Sequence, residues 1–214
     1  MLTVACVLVR GHADYTPEYV IRLKSMCWRY LSVAYRFVCL TDEPSQLPTE
    51  IETIKIPSPV NLKGWWAKLQ LFNKNRGFSD RVLALDLDVL VVNSLMPIVE
   101  YPAKFALVPD GAPNFKPKGR AVVKRFNSSV MVWDAGVNDS LYDDWSAGVA
   151  LRLWGDQDWI GERMADAAAM PIEWFPRLSE CGDSWSADAK VILCKKPKNA
   201  FAAHKWEWFN EAWQ

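Results

Sequence analysis

Val82-Leu83-Ala84-Leu85-Asp86-Leu87-Asp88-Val89-Leu90-Val91-Val92 is an aliphatic run interrupted only by two aspartates. Continuous branched and aliphatic residues of this kind mark a strand buried on both faces, as in the interior of a parallel sheet. Alternate residues of a strand share a face, so Asp86 and Asp88 are expected to point the same way. Two carboxylates brought together in apolar surroundings are unfavourable until a cation or a proton neutralises them. The pair therefore predicts a divalent cation, and a phosphate group to accompany it.

Outward from that run, the chain alternates strand and helix signals. Leu2 to Val9 reads as a first, fully buried strand. Thr16-Pro17-Glu18 supplies an N-cap, a first-position proline and an early acid, and opens a helix with an apolar stripe at Tyr19, Val20, Leu23, Met26, Cys27, Tyr30 and Leu31. Strands follow at Tyr35–Leu40 and Ile51–Ile56, then a helix from Trp65 to Asn75 ended by Gly77. Beyond the aspartates, Phe105–Pro109 and Ser129–Trp133 read as strands. Leu141, Trp145 and Val149 mark one helix, and Gly155-Asp156 opens another through Met164. Val191–Cys194 is the clearest of the short strands after Pro171. The alternation predicts a three-layer α/β/α sandwich around a mostly parallel central sheet. With no internal repeat or linker, residues 1–214 are expected to form a single domain.

Bulk properties narrow the function. Lysine plus arginine and aspartate plus glutamate number 25 each, so the net charge is zero and there is no electrostatic footprint for nucleic acid or anionic membranes. No apolar run approaches the about 20 residues that span a bilayer. The apolar start lacks a basic lead and reads as a strand rather than a signal peptide. Five cysteines without metal-site spacing fit reduced, buried thiols and a cytoplasmic location. Twelve tryptophans are unusually many; core packing accounts for most, including the group Trp206, Trp208 and Trp213, although rings exposed there would suit sugar or base stacking.

Several polar residues sit where chemistry would use them. Lys68 falls on the inward stripe of its helix with Trp65, Leu69 and Phe72, where a lysine either snorkels to solvent or meets an anion. Only two histidines exist, His12 and His204; His12 reads as structural. Asp156 is equally suited to capping the helix that follows it, and Asn127 to ending a strand.

Taken in order, Lys68-Leu69, Leu85-Asp86-Leu87-Asp88-Val89-Leu90-Val91, Phe126-Asn127-Ser128-Ser129-Val130, Gly155-Asp156-Gln157-Asp158 and His204-Lys205 form a set that resembles the retaining glycosyltransferases of family 8, the glycogenin and bacterial galactosyltransferase group with the GT-A fold. The likeness runs across nearly the whole chain. It implies that Asp86 and Asp88 hold Mn²⁺ (or Mg²⁺) on the diphosphate of a nucleotide-sugar, a UDP-sugar for preference, with His204 as third protein ligand. Lys68 and Lys205 would neutralise phosphate charge, with Leu87 beside them. Val9, Arg10 and Tyr15 would lie near the base, Tyr15 stacking on it. Asn127, Ser128 and Asp156 would bind the donor sugar, and Gln157 would lie beside the anomeric carbon. Retention of configuration follows from the resemblance alone, and the acceptor is an unspecified hydroxyl on a glycan, lipid-linked sugar, protein or small molecule.

The sequence departs from the family in two places. Ser129 stands where glycine is usual, and Lys205-Trp206-Glu207-Trp208 replaces the run from histidine through glycine to Lys-Pro-Trp. The loop Asp110–Arg120, rich in proline, glycine and lysine, is a candidate acceptor segment or lid. Two other functions compete: a nucleotide-sugar or glycan-binding module of the same fold without turnover, and a haloacid-dehalogenase-type phosphatase. The phosphatase reading fits poorly, because its paired aspartates normally end the first strand and are followed by a small residue, not Val89.

Overall fold

A computed structural model describes residues 1–11, 14–57, 62, 64–110, 126–194 and 207–213. Its centre is a seven-stranded sheet of β1 (Leu2–Leu8), β2 (Tyr35–Thr41), β3 (Glu52–Lys55), β4 (Arg81–Leu85), β6 (Phe105–Pro109), β7 (Phe126–Asp134) and β8 (Ala168–Ala169), in the order β3-β2-β1-β4-β7-β6-β8. β1 pairs in parallel with β2 and β4, β2 with β3, and β6 with β8, whereas β7 runs antiparallel to both its neighbours. A separate two-stranded ribbon joins β5 (Val89–Val91) to β9 (Val191–Leu193).

Period-two alternation assigns the sheet's two faces. In β1, Val4, Cys6 and Leu8 belong to one core cluster and Ala5 to the other; in β4, Leu83 and Leu85 face the first cluster and Val82 and Ala84 the second. The first face is covered by α1 (Pro17–Tyr30), which buries Tyr19, Val20, Leu23, Met26 and Cys27. The second is covered by a 3-10 helix at Gly64–Phe72 and by α2 (Asp156–Arg163), through Trp66, Leu69, Phe72, Trp159 and Ile160. This is the expected three-layer α/β arrangement with a mostly parallel sheet.

Two local expectations are corrected. Asp86 and Asp88 do not lie on one long strand: β4 ends at Leu85, a turn holds residues 86–88, and β5 leaves to pair with β9 in another sheet. The aliphatic run is continuous because both strands are buried, and burial alone carries no signal for the corner between them. Residues 65–75 are not an α-helix but two 3-10 segments, Gly64–Phe72 and Lys74–Arg76, closed by Gly77 at φ 69°. A 3-10 helix eclipses residues three apart, so Trp66, Leu69 and Phe72 form the buried row, while Trp65, Lys68 and Leu71 form the next row round.

All five cysteines are buried and unpaired. Trp213 is buried as well, its ring in edge contact with Tyr19 at 5.6 Å and its carbonyl accepting from Arg22 Nη1 at 3.0 Å. That tryptophan is core, as the packing argument expects. Among the described residues no helix is long and apolar enough to cross a membrane.

Candidate functional site

Strand order sets the place of the site. The chain lays β2 and β3 on one side of β1 and then places β4 on the other, so the order reverses between β1 and β4. In open α/β sheets, ligands bind beyond the carboxyl ends of the strands at such a reversal. A cavity of about 440 Å³ lies there. Val7 and Val9 reach it from β1 and the residue that follows, and Asp86, Leu87 and Asp88 from the turn after β4. Because β7 is antiparallel, its first residues, Asn127 to Ser129, arrive at that same edge. Asp86 N donates to Ser129 O at 2.8 Å, which fixes the turn against β7.

The polar wall is a connected cluster. Lys68 Nζ lies 2.7 Å from Asp86 Oδ1 and 3.6 Å from Asp156 Oδ2, and donates to Ser128 O at 3.2 Å and to Ser128 Oγ at 2.9 Å. Ser128 Oγ in turn donates to Asp156 Oδ2 at 2.6 Å. Burial would pull the Lys68 ammonium down, but Asp86 and Asp156 outweigh it and its pKa lies above the ordinary lysine value. The lysine stays charged, neither snorkelling nor neutralised.

Asp88 is in a different state. It is buried, and that burial, followed by the charge on Asp86, pushes its carboxyl up from 3.8 to about 6, although a hydrogen bond from Tyr15 and the charge on Lys68 oppose the shift. The Tyr15 hydroxyl is raised well beyond its usual range by burial and by Asp88 and Asp86, and so serves as the donor in that pair. Two carboxylates and one ammonium leave the turn with an excess of negative charge that a divalent cation would relieve. Hard carboxylate oxygens suit Mg²⁺ or Mn²⁺, whose remaining coordination positions water and phosphate oxygens commonly fill. Among the described residues no group of three or more metal-ligating side chains converges; His204, Lys205 and the loop 111–120 lie outside the described residues, as does His12.

Of the other anticipated residues, Val9, Tyr15, Lys68, Leu87, Asn127, Ser128, Asp156 and Gln157 all line the cavity with the two aspartates. Asn127 Oδ1 accepts from Ser129 N at 2.7 Å, holding the start of β7. Gly155 is the helix cap and Asp156 the first residue of α2, so Asp156 is free of capping work and turns to Lys68 and Ser128 instead. Arg10 does not line the cavity: its backbone N–H donates to Asp42 Oδ1 at 3.2 Å and its guanidinium pairs with Glu43 at 2.7 Å on the surface. Both acids come just after the end of β2.

Asp158, Trp65 and Trp154 are among the cavity residues that carry no expected role. Asp158 is fully buried one helical step from Gln157. Trp65 and Trp154 form a tilted ring pair, 5.6 Å between centroids, and Trp65 Nε1 donates to Trp154 O at 3.0 Å. A three-residue period through Trp65, Lys68 and Leu71 was the signal that would have placed Trp65 in the cavity wall.

No protein-family model matches the chain, and no curated protein matches it. Solved structures do. The chain is similar to the galactosyltransferase LgtC in complex with donor and acceptor sugar analogs, at 15% identity and a TM-score of 0.67, covering 99% of this chain and 95% of that one. An active-site mutant of LgtC matches at 16% identity and a TM-score of 0.65, over 98% and 94% of the two chains. The glycosyltransferase GlyE of Streptococcus pneumoniae TIGR4 matches at 17% identity and a TM-score of 0.58, over 82% of this chain and 47% of that one. The fold is therefore the GT-A fold seen in LgtC.

Proposed function

We propose that this chain is a GT-A glycosyltransferase that moves a sugar from a nucleotide-sugar, a UDP-sugar for preference, to a hydroxyl acceptor with a divalent cation, Mn²⁺ or Mg²⁺. The observation that carries the reading is the meeting of Asp86, Asp88, Lys68, Ser128, Asp156 and Gln157 in one cavity at the strand-order reversal. The likeness to LgtC supports it at the level of fold.

Asp86 and Asp88 would hold the cation, which supplies charge neutralisation on the diphosphate as the sugar leaves. Lys68 is already charged and fixed, so it can meet negative charge developing on the leaving phosphate without reorganising. Ser128, Asn127 and Asp156 bind donor hydroxyls. Gln157, a neutral amide, lies beside the anomeric carbon, where it orients the sugar without attacking it. The bond from the anomeric carbon to the diphosphate oxygen breaks, the acceptor oxygen bonds to that carbon, and the acceptor proton passes to the departing phosphate. Tyr15 and Val9 would flank the base, and His204 and Lys205 complete the cation and phosphate contacts. Retention of configuration is part of the proposal.

The test is a screen of UDP- and GDP-sugars with Mn²⁺ that reads nucleotide release. Metal-dependent release from a UDP-sugar, lost in Asp88→Asn, is expected. UDP binding without release under any acceptor would instead favour the binding module, and release of inorganic phosphate from phosphomonoesters would favour the phosphatase.

A further inference from the structure

Trp65 is 40% exposed while its neighbours Trp66, Ala67 and Leu69 are buried. It is nonetheless held firmly. Its Nε1 is bonded to Trp154 O at 3.0 Å, its ring leans on that of Trp154, and its edge rests on the bare Cα of Gly155. A methyl at Gly155 would come within 3.1 Å of Nε1 and 3.2 Å of Cδ1. An indole so fixed loses little conformational freedom when a ligand settles on it, which is how aromatic anchors gain affinity. Both rings line the cavity that holds Asp156 and Gln157, and Trp154 lies three residues before Gln157.

Resting on the glycosyltransferase reading, we propose that the Trp65–Trp154 pair is the acceptor platform and that the acceptor is a pyranoside rather than a protein hydroxyl or a small open-chain alcohol. A pyranose ring presents one face of axial C–H bonds, weakly positive and apolar, while its hydroxyls point outward around the rim. The face of an indole is electron-rich and apolar. The two surfaces match, and a ring stacked on Trp65 would share the cavity with Gln157. An open-chain alcohol has no such face.

The test is a titration of the protein with methyl glycosides of glucose, galactose and mannose, and with glycerol as a ringless polyol, each with and without UDP and Mn²⁺. Intrinsic tryptophan fluorescence and calorimetry report binding. At least one glycoside is expected to bind and to quench fluorescence at concentrations where glycerol does neither. Trp65→Ala should raise that glycoside's dissociation constant about tenfold, and Trp65→Phe by much less. Equal behaviour of glycosides and glycerol, or a Trp65→Ala variant that weakens UDP and not the glycoside, overturns the platform. UDP binding by the wild-type chain is read separately: its absence sinks the transferase reading, whereas UDP binding without any glycoside signal sinks only the platform.

Discussion

Lys68 Nζ sits between Asp86 on the turn after β4 and Asp156 on the first turn of α2, 2.7 Å from one and 3.6 Å from the other. One ammonium therefore joins two elements at the cavity. Asp156 has 5% of its side chain exposed and Lys68 14%, so neither charge can turn to water when its partner is removed.

Lys68→Met keeps the side chain's length and removes its charge. Breaking a buried pair from one side costs about 3–5 kcal/mol, and the exposure of Asp86 places the expectation near the lower end. Urea unfolding at neutral pH measures it. A loss within about 1 kcal/mol, the value of a surface pair, would mean that the carboxylates do not depend on this lysine.

Asp88 gives a pH dependence with a defined sign. Its proton is bound more tightly in the folded chain, where the pKa is about 6, than in the unfolded chain at 3.8. Its contribution is thus favourable below about pH 4 and is lost as pH rises through about 6, a change on the order of 3 kcal/mol. Asp88→Asn should flatten that slope and make the metal-free protein more stable than wild type at pH 7, while abolishing any stabilisation by Mn²⁺. Unfolding in chelator from pH 4 to 7.5, repeated with Mn²⁺, checks both halves. A pH slope that Asp88→Asn leaves unchanged would contradict the burial of this carboxylate.

Gly155→Ala addresses the ring pair. Gly155 has φ −161° and ψ −179°, extended backbone that alanine adopts, so the substitution acts through its methyl rather than through the chain. The indole of Trp65 must move by a few tenths of an ångström, which lengthens its bond to Trp154 O. A loss of about 1 kcal/mol is expected, together with a shift in tryptophan emission. An unchanged emission spectrum would show that Trp65 does not rest on Gly155.

How much of this was readable in the residues follows from what each signal measures. Alternation of strand and helix gave the layers, because periodicity reports which face is buried. Thr16-Pro17-Glu18 placed the start of α1 to the residue, since local chemistry decides a helix N-terminus. The turn between β4 and β5 was hidden, because Leu85 and Val89 are buried on either side of it, Leu87 is buried within it, and hydropathy is blind to a change of sheet. The 3-10 segment was hidden for a related reason: a three-residue and a 3.6-residue period differ by only about one position over two turns, yet the difference puts Trp65 in the cavity wall instead of the core. The pairing of Arg10 with Asp42 and Glu43 was hidden because those acids follow another strand and the parallel register of β1 and β2 brings them alongside.

The ribbon of β5 and β9 has a bearing on the order of assembly. Cys194 N donates to Asp88 O at 3.3 Å, and Val89 pairs with Leu193. The corner that carries the aspartates is thus closed by chain that is synthesised after β7 and every helix of the second layer. Contacts between such distant stretches form late, because loop closure must precede them. A nascent chain halted before Val191 would already possess Asp86, Asp88 and Lys68 yet lack the clasp on Asp88, so any cation binding of the kind proposed should arise only after translation has passed β9.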